Sequence, residues 1–131
     1  VKDYMDASIS KARELEYVET FFGRRRYLKD INSRNAIMRG AAERNAINAP
    51  IQGTAADIIK IAMIKIDEKL CKRKMKSRMI LQVHDELIFD MRADEEEDLR
   101  IIVEESMSKA CSLEVPLVVD IGVGAHWLAA H

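Results

Sequence analysis

His84, Asp85 and Glu86 stand between two apolar, β-prone runs, Leu81-Gln82-Val83 and Leu87-Ile88-Phe89. The pattern reads as strand, tight turn, strand, with two adjacent carboxylates at the tip. An ionised carboxylate lifted out of an apolar hairpin carries a desolvation cost that a cation offsets, so the triplet is a candidate metal site. Hard oxygen ligands suit Mg²⁺, which takes one or two carboxylates together with phosphate oxygens. Asp85, short and held near the turn, is the better fixed ligand, and Glu86 is a longer second one. The chemistry is metal-assisted phosphoryl transfer, in which two ions about 3.5–4 Å apart clamp attacking and leaving oxygens. A plain polar turn has the same local spelling. Asp120 is the further in-chain carboxylate that an independent phosphohydrolase would need.

Two other groups of residues suit a nucleic acid. Arg44, Asn48 and Gln52 are spaced by four, which puts them on one helical face. These side chains reach acceptors on base edges. In the minor groove such acceptors recur in every base pair, so a row of donors tests pair shape without reading sequence. Pro50 falls inside the row and leaves its continuity open; a solvated polar face is the other reading. Arg24, Arg25 and Arg26 fall on one predicted strand and alternate between its faces. One or two phosphate contacts and one internal salt bridge are expected of them, or else a charged edge strand guarded against aggregation.

The elements that position these residues are legible from periodicity and breakers. Residues 2–16 are predicted helical, and Tyr17–Phe22 with Arg24–Leu28 form a hairpin whose turn needs Gly23. A helix over 34–49 follows the cap-rich Asp30-Ile31-Asn32-Ser33. Pro50 ends it or starts the next, with a bend at Gly53 and Thr54 before a long helix over Ala55–Lys74. Met79–Val83 and Leu87–Met91 are the strands around the triplet. A helix over Asp94–Cys111, with acids in its first turn, and a last strand over Val115–Gly122 complete the chain. The fold class is α+β: a small antiparallel sheet with a catalytic β-hairpin, packed against long helices.

Composition sets the frame. At 131 residues, 48% hydrophobic and 33% charged, the chain has the make-up of one globular domain or a piece of a larger one. No run approaches a membrane span, and Cys71 and Cys111 lack metal-site spacing, so free thiols and a cytoplasmic setting are expected. The net charge of −1 hides an asymmetry. Residues 1–78 hold 18 of the 21 Lys and Arg against 10 acids, and residues 79–131 hold 3 against 12. A phosphate-binding surface beside an acidic, cation-binding centre fits that split, as do two solvated faces. The opening Val1-Lys2-Asp3 reads as helix interior and the close at Trp127–His131 as a natural end, so a piece cut from something longer is expected.

Gly23-Arg24-Arg25-Arg26, the string AERNAINAPIQGTAADIIK from Ala42 to Lys60, Gln82–Leu87, and Trp127 with Ala130-His131 together resemble the C-terminal part of the bacterial family A DNA polymerases. The resemblance runs through essentially the whole chain. It implies part of a DNA-directed DNA polymerase, with about 1–45 on the fingers side and about 46–131 in the palm. By the match Asp85 is one of two essential metal-binding aspartates, Glu86 an auxiliary carboxylate, and His84 a neighbour of the primer terminus. Arg44, Asn48 and Gln52 match residues that contact the primer–template minor groove. Two Mg²⁺, primer–template DNA and deoxynucleoside triphosphates are the implied cofactor and partners. The family's first carboxylate motif, thumb and exonuclease regions fall outside the 131 residues, so the chain alone is expected to be inactive and to self-associate through an uncovered apolar face. A non-catalytic nucleic-acid-binding module is the alternative. Lys29 stands where the family commonly has Pro, and His126 where Asn is usual; both put local loop geometry in question.

Overall fold

The computed structural model describes residues 1–130. Two compact units divide the chain, Val1–Asp57 and the part from Ile58 onward.

In the first unit, helix α1 (Lys2–Leu15) ends where Glu16 turns left-handed at φ 58° and its N–H bonds the Ala12 carbonyl. Strands β1 (Tyr17–Glu19) and β2 (Arg25–Tyr27) pair antiparallel, Tyr17 opposite Tyr27 and Glu19 opposite Arg25. Gly23 makes the connection at φ 81°, a conformation that costs a side-chain-bearing residue about 1–2 kcal/mol. Helix α2 (Ala36–Lys72) begins under an Asn35 cap, whose Oδ1 accepts the Ile37 N–H at 3.0 Å. Ala12, Leu28, Ile31, Ala42 and Ala46 form the core, with Ile9 and Val18 against it. The alanines let the hairpin lie close to the helix.

Helix α2 runs unbroken through Pro50, Gly53 and Thr54, where two helices and a bend were expected. The local breakers are outweighed by contacts from outside the helix, described below.

In the second unit, Ile66 and Leu70 of α2 pack with Leu99, Ile102 and Val103 of helix α3 (Glu96–Ser108), which a 3-10 turn at Ala93–Glu95 introduces. Strands β3 (Arg78–Val83) and β4 (Glu86–Asp90) form an antiparallel hairpin with an irregularity between Met79 and Leu81. Leu87, Phe89 and Met91, at period two, reach this core. The α+β class holds, but the expected single sheet is two separate two-stranded hairpins. Val115–Gly122, predicted as a strand, makes no ladder among the described residues. Val115 is 73% and Val118 84% exposed, and a β-prone run without a neighbouring edge does not form a ladder. The short helix α4 (Trp127–Ala130) is capped by His126, whose Nδ1 accepts the Ala129 N–H at 3.2 Å, so His126 does there what an Asn would do. His131 lies outside the described residues. Both cysteines are free thiols.

Helix α2 ends in a Schellman motif. The Met75 N–H bonds the Leu70 carbonyl, the Lys74 N–H bonds the Cys71 carbonyl, and Met75 folds onto the core beside Leu70. The left-handed position, Lys74 at φ 53°, carries a lysine where glycine is favoured. Lys74→Gly is therefore expected to stabilise the chain by roughly 0.5–1 kcal/mol, read as a higher urea midpoint at unchanged slope. A lower midpoint would show that the lysine side chain contributes more than its backbone costs.

Candidate functional site

The second unit presents the metal candidate. Val83 pairs with Glu86, leaving His84 and Asp85 as a two-residue turn. His84 has φ 52° and Asp85 a negative φ, the sign pattern of a type II′ turn, which favours glycine at its first position. A histidine held there stores backbone strain of about 1–2 kcal/mol. The Gln82 side-chain amide donates to the His84 carbonyl at 2.6 Å and braces the tip. Sequence reading of the triplet did not single out Gln82; its place two residues before the turn was the available sign.

Asp85 and His84 are exposed, and Glu86 is half-buried at the start of β4. The burial that would have made Asp85 costly to ionise is thus not found, because the two-residue turn leaves the residue exposed. Among the described residues no three His, Cys, Asp or Glu side chains gather as a metal-holding group. Asp120, exposed on the unpaired segment, does not complete such a group with Asp85, which removes the support for an independent phosphohydrolase.

The first unit carries the nucleic-acid candidates. Arg44, Asn48 and Gln52 all lie exposed on one continuous stretch of α2. With a rise of 1.5 Å per residue the row spans about 12 Å, the length of three to four base steps. The three arginines of the hairpin have separate fates. Arg24 donates through Nε to Asp57 at 2.8 Å and through Nη2 to the Gly53 carbonyl at 3.1 Å. Arg25 pairs with Glu19 at 2.7 Å and lies 4.5 Å over the Tyr17 ring; these contacts hold its pKa above the ordinary value, the Glu19 hydrogen bond first. Arg26 is exposed and makes no ion pair among the described residues. Two internal ion pairs replace the single one expected. Gln52 joins Arg24, Arg25 and Arg26 in lining a cleft of about 90 Å³ between hairpin and helix.

Residues 1–129 match the family described as DNA polymerase family A. The chain belongs to DNA polymerase family A. It is 50% identical over 130 residues to the DNA polymerase I of Lactococcus lactis subsp. cremoris, covering 99% of this chain and 15% of that protein. Against the DNA polymerase I of Mycobacterium leprae the identity is 51%, over 99% of this chain and 14% of the other. The POL domain of Pol1 from M. smegmatis, solved in complex with DNA primer-template and dNTP, superimposes with a TM-score of 0.97 at 48% identity. That match covers 98% of this chain and 23% of the solved one. The chain therefore spans about a seventh of the curated relatives it matches.

In this family member the base of the β3–β4 hairpin is held by one carboxylate. Glu95, just before α3, accepts the Ser77 hydroxyl at 2.6 Å and the Lys76 and Ser77 backbone N–H groups at 2.8–3.1 Å. The Ser77 hydroxyl in turn accepts the Arg92 N–H at 3.0 Å, so both ends of the hairpin are tied to one point. The Ser77 hydroxyl, then the backbone donors, hold the Glu95 carboxyl at about 2, against an ordinary 4.5. A depressed carboxyl stabilises the fold fully above its unfolded value and stops doing so once pH has fallen through its folded one. Stability from this clamp should thus be complete above pH 4.5 and fall away between there and about pH 2. Glu95→Gln should lower the urea midpoint at neutral pH and flatten that acid limb. An unchanged acid limb in the variant would refute the clamp.

Proposed function

We propose that the chain is the part of a DNA-directed DNA polymerase that supports the primer terminus, within an enzyme that adds deoxynucleotides to a primer 3′-hydroxyl during DNA replication and repair. The observation that carries the reading is the exposed Asp85 at a strained, braced two-residue tip, in a chain matched end to end by family A polymerases. By that reading residues 1–45 belong to the fingers side and 46–131 to the palm, and the enzyme works in the cytoplasm.

Asp85 and Glu86 fit Mg²⁺, a hard cation that takes one or two protein carboxylates and leaves its other positions to water and phosphate. Two such ions, when bound, supply neutralisation of charge on the attacking and leaving oxygens. The chain's own contribution is positional. The turn at His84 aims Asp85 outward, Gln82 restrains the turn, and His84 sits beside the primer end. Arg44, Asn48 and Gln52 offer donors to minor-groove acceptors of the last base pairs, so a mispaired terminus of altered shape loses contacts. Arg26, with Arg25 beside it, meets phosphate and makes binding salt-dependent. Positioning of the primer oxygen and stabilisation of developing charge together supply the rate in such a reaction.

The apolar face of the β3–β4 hairpin turned away from the core, with Ile80 60% and Leu81 50% exposed, supports self-association of the isolated chain. Light scattering at high concentration should find a species heavier than a monomer, and a monomer throughout would refute this. No helix among the described residues is long and apolar enough to cross a membrane.

The decisive test of function grafts the 131 residues in place of the matching segment of the M. smegmatis POL domain. The graft should extend a primer on a template. Asp85→Ala should lower extension by on the order of 10²–10³-fold or more, with the KM for nucleotide little changed, and Glu86→Ala by less. Extension that survives Asp85→Ala would sink the assignment.

A further inference from the structure

The row Arg44, Asn48, Gln52 is useful only if one helix holds all three in line, yet Pro50 lies within it. Proline has no N–H to give the Ala46 carbonyl, and its ring crowds that carbonyl, so a helix interior kinks or breaks there. The structure shows what opposes the break. Leu28 and Val18 of the hairpin region pack against Ala42 and Ala46, before the proline. The hairpin tip grips the turn after it. The Phe21 N–H donates to the Thr54 hydroxyl at 2.9 Å, and that hydroxyl donates to the Pro50 carbonyl at 2.6 Å. Arg24 bonds the Gly53 carbonyl and Asp57, whose side chain is 12% exposed. Thr20 lies so close to Gly53 that a Cβ there would come within 2.6 Å of its methyl group, so only glycine lets the hairpin seat.

We propose that the arginine hairpin is a splint across Pro50, and that Arg24 is a positioning residue acting on DNA through Gln52. The inference rests on the reading of the row as a minor-groove contact. A kink of more than about 20° at the proline would re-aim Gln52 relative to Arg44 and Asn48. The loop that applies the grip is itself fixed: Thr20 and Arg24 bond each other twice, through the Arg24 carbonyl and the Thr20 hydroxyl, and Gly23 closes the turn onto the Thr20 carbonyl.

Two measurements on the full chain test this. Spin labels at the exposed positions Ile37 and Ala55, 18 residues apart on α2, should give one narrow distance distribution near 27 Å plus label reach. Arg24→Ala with Thr54→Val should broaden it, and adding Pro50→Ala should narrow it again. If the pair of substitutions unfolds the chain, Thr54→Val alone should broaden the distribution less, with the same restoration. In parallel, Gln52→Ala should weaken primer–template binding roughly ten-fold in the unsubstituted chain, as loss of a base-edge contact does. Gln52→Ala should have little further effect once Arg24 and Thr54 are changed, and should regain its effect with Pro50→Ala. A distribution that stays narrow without Arg24 and Thr54 overturns the splint. A restored helix without restored affinity shows that Arg24 touches DNA itself. A chain that binds no DNA refutes the minor-groove reading and the DNA role of Arg24 with it, while the label distances still decide the splint.

Discussion

Helix α2 must pass a proline, and the first unit is organised around that requirement. One carbonyl, that of Ala46, loses its helical partner, and a proline in a helix interior costs about 3 kcal/mol. No residue within the helix supplies that amount, because propensity differences among neighbours are only tenths of a kcal/mol each. The compensation comes from across the fold. Small residues at Ala42, Ala46 and Gly53 give the hairpin a flat track, and polar groups at Thr54 and Asp57 give it anchors. The alanines bury little area each, so their value lies in close approach rather than in hydrophobic transfer. What reads as a weakly apolar helix face is a docking surface for one β-hairpin.

The tip of the other hairpin solves the opposite problem. There, strain is accumulated rather than relieved. His84 occupies a left-handed position, and the Gln82 amide, the Val83–Glu86 pair and the Glu95 clamp at the hairpin base hold the strand ends in register. A looser turn would cost less but would leave Asp85 free to move over several ångströms, and a ligand misplaced by one ångström loses much of its effect. Asp85 is exposed and makes no ion pair among the described residues. A hard cation can then bind without displacing a resident salt bridge.

Sequence alone carried the local part of this description well. Gly23 and the apolar runs on either side of His84–Glu86 located both hairpins, three strands to within a residue and β1 three residues too long at its end, because turns are set by nearest neighbours. It failed where distant partners decide. Pro50 reads as a terminus because the groups that hold the turn after it, the Phe21 N–H on the Thr54 hydroxyl and Arg24 on the Gly53 carbonyl, come from a hairpin some thirty residues earlier in the chain. Val115–Gly122 reads as a strand because a β-prone run with Pro116 at its entry has the right local spelling, whereas a ladder requires an edge. Arg24, Arg25 and Arg26 look alike in a row, and only Asp57 and Glu19 tell them apart. The order and spacing of the polymerase motifs were legible throughout; the work each arginine does was not.

Charge asymmetry between the two parts of the chain is therefore a poor guide to what each arginine does. Arg25, with its side chain 52% exposed opposite a Glu19 that is 36% exposed, is in an ordinary surface pair, well screened by solvent. It can exchange Glu19 for a phosphate at little cost. Arg24 faces Asp57, only 12% exposed, and withdrawing the guanidinium would break an ion pair to a largely buried carboxylate. That costs toward the ~3–5 kcal/mol of a fully buried pair, discounted because Arg24 is itself half exposed. The same residue type, one position apart, thus divides between an exposed surface pair and a fixed strut. The depth of the carboxylate each one meets, not the density of positive charge, makes the division.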